Sequence, residues 1–199
     1  MTTIDKLAII LPANQVYGPR QGGWTYADYA ALPNDGQRYE VMDGVLLMAP
    51  SPNAAHQSVI TRLAVFFFQY VESAGIGRIF VAPFDVELAT NRVVQPDALV
   101  LLNRSLGKLT ASHVVGAPDL VVEVASPGTA VYDRLNKFEA YARAGVEEYW
   151  LVDPEVRSIE VLVLQNGTYY SKGIFRGENT IFSQVVPAIA IVKVERFFA

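Results

Sequence analysis

Cysteine is absent from the chain, and histidine and tryptophan occur only twice each. The first absence excludes a disulfide, a zinc–thiolate site and a thiol nucleophile. With so few imidazoles, any metal chemistry must rest on oxygen ligands. Charge is also sparse: 18% of residues are charged and the formal net charge is -4. That balance argues against a surface built throughout to hold nucleic acid, though not against a local basic patch. Arg62, Arg78, Arg92, Arg104, Lys108, Arg134, Lys137 and Arg143 are scattered and read mainly as a solvated surface. Long apolar runs are missing too. The stretch 63–71 is too short for a bilayer and is bounded by Arg62 and Glu72, so no membrane partner is expected. The opening MTTIDKLAIILPAN lacks a basic start and a long apolar core, so no export signal is read and a cytoplasmic location is expected.

Apolar residues, at 51% with 11% aromatic over 199 positions, are ample for one sizeable core. Residues 1–22 carry Pro12, Pro19 and the start of a Gly22-Gly23 pair and read as an N-terminal arm; 23–199 form the domain. Thr25 can cap a short helix from Tyr26 to Leu32. Asp43-Gly44 between two apolar runs predicts a tight hairpin. A core helix follows, with Val59, Leu63, Phe66, Phe67 and Tyr70 at helical spacing and Gly75 beyond its end. The run Phe66-Phe67-Phe68 reads as core rather than as a platform for stacking bases.

Two or three strands are expected in RIFVAPFDVELATNRVVQPDALVLL, then a surface loop or short helix, then a strand over Leu120 to Ala125. Thr129 is placed to cap a helix running through Ala144 and closed by Gly145; another strand and a β-meander complete the chain. This order gives a mixed α/β layer architecture.

Three of these strands carry acids within apolar frames. Parity groups Val121, Glu123 and Ala125 on one face, Asp97 with Leu99 and Leu101, and Asp85 with Glu87. A hairpin loop of about five residues at ATNR would set Asp85 opposite Asp97. Carboxylates so close repel unless a cation joins them, and hard oxygen ligands point to Mg²⁺ or Mn²⁺. Lys137 lies about 10 Å along the return helix, matching the distance of about 10 Å from Ser126 back to Glu123 on the strand. An antiparallel helix would therefore bring Lys137 level with Glu123. Taken alone, Lys137 also suits an ordinary helical pair with Asp133. Asp119, four residues before Glu123 on the same strand, is about 13 Å away and too far to share a metal with it.

The segments YEVMDG, SPNAAHQ, APFDVEL, VVQPDALV, GAPDLVVEVASPGT, DRLNKFEAYARAGVEEYWLVDP and PAIAI, in this order, resemble the Uma-two family of "putative restriction endonucleases" within the PD-(D/E)XK nuclease superfamily. The resemblance runs from about Trp24 to the C-terminus. It implies a restriction-endonuclease-like fold, a mixed β-sheet core flanked by helices, and metal-dependent hydrolysis of phosphodiester bonds. By motif Asp97 matches the first acid and Glu123 the second, both as metal ligands, and Glu40 matches an additional upstream acid.

The pattern departs at Ala125, where the superfamily carries lysine; Lys137 is the candidate replacement. Asp97, Glu123 and Lys137 are thus the expected catalytic set, with Glu40, His56 and Asp85 in support. His56 suits either a phosphate or metal-bound water contact or a helix cap; His113 is assigned no role. The expected partner is nucleic acid, specifically DNA, cut by a homodimer. The rival expectation, favoured by Ala125 and the acidic balance, is a non-catalytic interaction or regulatory protein on a degenerate nuclease fold.

Overall fold

The computed structural model describes residues 10–126 and 132–198. Its twelve strands form two six-stranded sheets, in the orders β1-β3-β2-β6-β5-β8 and β12-β11-β10-β9-β7-β4. This is the expected mixed α/β class, with the strands divided between two sheets rather than gathered in one. The first sheet begins with β1 (Leu11–Pro12) at its edge, so the segment before Gly23 contributes a strand. The hairpin of β2 (Arg38–Met42) and β3 (Val45–Ala49) turns at Asp43-Gly44 as expected, with φ of 50° and 77°. Both residues of such a turn need positive φ, which Asp tolerates and Gly adopts freely.

The run from Arg78 to Leu102 yields four strands, not two or three: β4 (Gly77–Val81), β5 (Asp85–Ala89), β6 (Arg92–Val94) and β7 (Ala98–Leu102). Pro83 and Pro96 lie in the gaps, where a missing N–H breaks no ladder. At each gap the chain changes sheet: β4 and β7 pair with one another, while β5 and β6 belong to the first sheet. The β5–β6 hairpin closes through Thr90 and Asn91 alone, with Ala89 opposite Arg92, instead of the longer loop expected.

After a 3-10 turn at Asn103–Lys108 come β8 (His113–Val115) and β9 (Leu120–Val124). Next to β9 runs β10 (Glu148–Asp153) in parallel, followed by the meander of β11 (Ser158–Gln165) and β12 (Thr168–Arg176). Helix α1 (Tyr26–Ala30) is capped by Thr25 in a capping box with Asp28. Helix α2 (Ala54–Phe67) ends in a π turn over Phe68–Glu72. A second π turn, Asp133–Lys137, leads into α3 (Phe138–Ala144), which Gly145 closes at φ 90°. The expected cap at Thr129 lies outside the described residues.

The central strands of the second sheet, β7, β9 and β10, are buried on both faces. On one, Leu120, Val122 and Val124 pack with Val59, Leu63 and Phe67 of α2 and with the C-terminal Val194 and Phe197. On the other, Val121, Leu99 and Leu101 pack with Tyr141 of α3 and with Val86 and Val94 of the first sheet. Such strands read as near-continuous apolar runs, as VVEV and ALVLL do. Any acid on these strands is therefore carried into the interior, to the place where the two sheets, α2 and the π turn before α3 meet.

Candidate active site

Five ionisable side chains meet there, all buried: Glu40 from β2, His56 from the first turn of α2, Asp97 just before β7, Glu123 in β9 and Lys137 at the end of the π turn. Glu40, Asp97 and Glu123 are only 3%, 6% and 3% exposed, so each must be partnered to remain ionised.

Asp97 is held from two sides. Its Oδ2 accepts the Val124 backbone N–H at 2.8 Å and lies 3.1 Å from His56 Nε2. The Asn53 side chain caps α2 by accepting the His56 N–H at 2.9 Å. His56 thus receives the Asn53 cap through its backbone N–H, while its ring stands against Asp97. Its other ring nitrogen, Nδ1, is buried without a hydrogen bond among the described residues.

Glu123 Oε1 accepts Lys137 Nζ at 2.9 Å and the Tyr141 hydroxyl at 2.5 Å. Lys137 Nζ also stands 3.0 Å from Glu40 Oε1. Burial first, and then the neighbouring Glu123 carboxylate, push the Tyr141 phenol well above its ordinary pKa, so it stays a donor. The helix following β9 does bring Lys137 level with Glu123, with Tyr141 one turn further on. Ala125, where the lysine is absent, instead donates its N–H to Val152 and prolongs the β9–β10 ladder.

Asp85 does not face Asp97. The short β5–β6 hairpin keeps it in the first sheet, where its Oδ1 accepts Tyr29 Oη and Gln95 Nε2, each at 2.8 Å. It reaches the cluster through Gln95, whose backbone N–H donates to Glu40 Oε1 at 2.9 Å and whose Oε1 accepts Arg38 Nε at 3.3 Å. Gln95 and Arg38 are site residues that sequence reasoning passed over, and Tyr141, on the helical face of Lys137, is one to which it gave no role. The signals were there: Gln95 shares strand parity with Asp97, and Tyr141 lies four residues beyond Lys137 on one helical face.

Asp119 has other work. Its carboxylate accepts Leu102 N, Ser105 Oγ and Arg104 Nε, tying the 3-10 turn to the start of β9. His113 stacks on Tyr26 with ring centroids 4.3 Å apart.

A cavity of about 40 Å³ opens between Asp97, Glu123 and Lys137, with Arg38, Glu40 and His56 also in its wall. Among the described residues, no three or more His, Asp or Glu groups form a ready-made metal cage. The donor set nevertheless fits Mg²⁺ or Mn²⁺. Such ions are commonly bound by one or two carboxylates and complete their shell with water and substrate phosphate. Asp97 and Glu123 line the one cavity, and Asp97 Oδ1 accepts no hydrogen bond among the described residues. Glu40 and Glu123 face Lys137, with Arg38 at the rim of the cavity.

No helix among the described residues is long and apolar enough to cross a membrane. None of the curated proteins matches the chain. A solved structure that is similar in fold is that of "a putative nuclease belonging to DUF820" from Anabaena variabilis ATCC 29413, with a TM-score of 0.73 at 17% identity over 88% of this chain and 97% of that one. A family model described as "Putative restriction endonuclease" matches residues 26–194, a span that holds Glu40, His56, Asp97, Glu123 and Lys137. That family match places the chain in the Uma2 family.

Proposed function

We propose that the protein is a metal-dependent endonuclease that hydrolyses phosphodiester bonds of DNA, acting in the cytoplasm as a homodimer. The observation that carries this reading is the meeting of Asp97, Glu123 and Lys137 around one cavity, with the Lys137 ammonium 2.9 Å from Glu123 although the two residues come from different elements. Asp97 and Glu123 would hold Mg²⁺ or Mn²⁺. When bound there, the cation would acidify an attacking water and stabilise the charge that builds on the phosphate.

The chain's own residues do the positioning. His56 and the Val124 N–H fix one oxygen of Asp97 and leave the other to face a ligand. Tyr141 and Lys137 fix Glu123. Glu40 holds the ammonium from its other side, so that Lys137 is oriented to direct water or to neutralise developing charge. No covalent enzyme intermediate is needed. Two such sites related by a two-fold axis would suit the cutting of two strands.

The test is cleavage of supercoiled plasmid and of single-stranded DNA by purified protein with Mn²⁺ or Mg²⁺. Wild type should cut, and Asp97→Ala should neither cut nor bind the metal in calorimetry. Absence of metal binding at millimolar concentration would remove the site as drawn. Metal binding without cleavage of any substrate would favour the non-catalytic reading that Ala125 suggests.

A further inference from the structure

The cavity between Asp97, Glu123 and Lys137 has room for little more than a water molecule. If it handles a phosphate, as the proposed function requires, the rest of that nucleotide must lie outside. The cavity adjoins a groove of about 580 Å³, and Arg38, Pro52 and Asp97 line both. That volume falls within the range of about 300–1,000 Å³ common for small-molecule sites.

The groove is walled by Ile60, Ala64, Val65 and Phe68 on one side and by Val81 and Pro83 on the other. Phosphates would lose their hydration against such walls without gaining partners, whereas a base offers a π face that any apolar or aromatic surface can cover. Gln57 and Thr61 stand at the margin and can meet the polar edge of a base.

The shape of α2 makes this surface. Phe67 is 1% exposed and packs on Trp150, with ring centroids 5.3 Å apart. Phe66 packs on Phe197. Phe68 opens the π turn and is 54% exposed beside Val65 at 60%. The aromatic run therefore supplies more than the core takes up: two rings are packed and the third faces the groove. Turns of this kind occur often at functional sites.

We propose that the groove receives one unstacked base of a single-stranded stretch of nucleic acid, the base of the nucleotide next to the phosphate at Asp97 and Glu123. Phe68 is its stacking surface, and Arg38, at the junction of groove and cavity, faces the intervening phosphate. The substrate class follows: single strands, or duplexes locally opened at the cut. This inference rests on the nuclease reading but is tested apart from it.

The experiment is fluorescence anisotropy of the full chain, with Ca²⁺ as the cation and a labelled short thymidine oligonucleotide whose intactness is checked on a denaturing gel. An abasic oligomer of equal length serves as comparator. The thymidine oligomer should bind about tenfold more tightly than the abasic one, and Phe68→Ala should remove that difference while leaving abasic binding unchanged. Both Val65 and Phe68 are exposed, so Val65→Ser provides a second variant that keeps the fold, checked by circular dichroism, and should act in the same direction. Equal affinity for the two oligomers, no binding of either, or a preference untouched by Phe68→Ala would overturn the inference. Plasmid cleavage with Mn²⁺ judges the nuclease reading separately. Base preference without cleavage would leave the groove standing and remove that reading; cleavage without base preference would do the reverse.

Discussion

Lys137 holds two buried carboxylates, Glu40 at 3.0 Å and Glu123 at 2.9 Å, and its removal acts on both at once. Lys137→Ala should abolish cleavage while leaving metal affinity largely intact. Without metal it should also lower stability by about 3–5 kcal/mol, because it leaves buried charge uncompensated. Denaturant titration with and without Mg²⁺ reads the second effect, and plasmid cleavage reads the first. Residue 125 shares strand parity with Glu123, so Ala125→Lys in the Lys137→Ala background returns an ammonium to the same face and should recover part of the activity. No recovery, with the double variant folded, would show that the lysine must come from the helix. For Glu123→Gln the expectation is different. The shape is kept and a buried charge is deleted, so metal binding and cleavage should be lost at little cost in stability, or with a gain. A strongly destabilised variant that still binds metal would show that Glu123 serves the fold instead.

At the scale of the element, the hairpin of β2 and β3 positions Glu40, and its turn is fixed by close approach as well as by φ. A Cβ on Gly44 would lie 2.4 Å from the Gly22 carbonyl oxygen, at a φ of 77° that side chains other than glycine's rarely adopt. The Gly44 carbonyl in turn accepts the N–H groups of Gly22 and Trp24. Gly44→Ala should therefore destabilise the protein by at least about 1–3 kcal/mol, seen as a lower denaturant midpoint with an unchanged slope. Helix α2 is started by Asn53, and that cap also sets the backbone of His56. Asn53→Ala should cost about 1 kcal/mol and loosen the imidazole that faces Asp97.

Across the molecule, the C-terminal tail is joined to the second sheet by one buried carboxylate. Glu148 accepts Trp150 Nε1 at 2.6 Å, Ser183 Oγ at 2.7 Å, and the backbone N–H groups of Gln184 and Val185 at 2.7 and 3.1 Å. Burial raises its pKa above the ordinary glutamate value, and the four donors only partly oppose this. Between the ordinary value and the raised one, the folded state holds more protons than the unfolded chain. The stability Glu148 contributes is thus fullest below the unfolded pKa and falls as pH rises through the folded pKa. Glu148→Gln should cost about 2 kcal/mol at neutral pH, since an amide cannot accept all four donors. Its deficit against wild type should widen as pH falls through that window, as read by denaturant titration at several pH values. A deficit independent of pH would show that Glu148 titrates alike in the folded and unfolded chain.

Local chemistry was legible in the order of residues. Asp43-Gly44 could only turn tightly, Gly145 could end a helix, and acids within VVEV and QPDALV had to be carried into an interior. The rise per residue of strand and helix was enough to bring Lys137 level with Glu123, because one short connection joins the two elements and little else can intervene. What the chain order could not decide was which sheet each strand would enter. Asp85 and Asp97 are twelve positions apart, but Pro83 and Pro96 let the chain cross between sheets on both sides of the β5–β6 hairpin, and the two acids part company there. Nor could local pattern place Gln95 beneath Glu40, set His56 against Asp97 or leave Phe68 outside the core, since each depends on surfaces brought together from distant parts of the chain. Parity and helical spacing are properties of neighbours, whereas partnership between buried charges is settled only when separate elements pack and exclude the water that would otherwise solvate them.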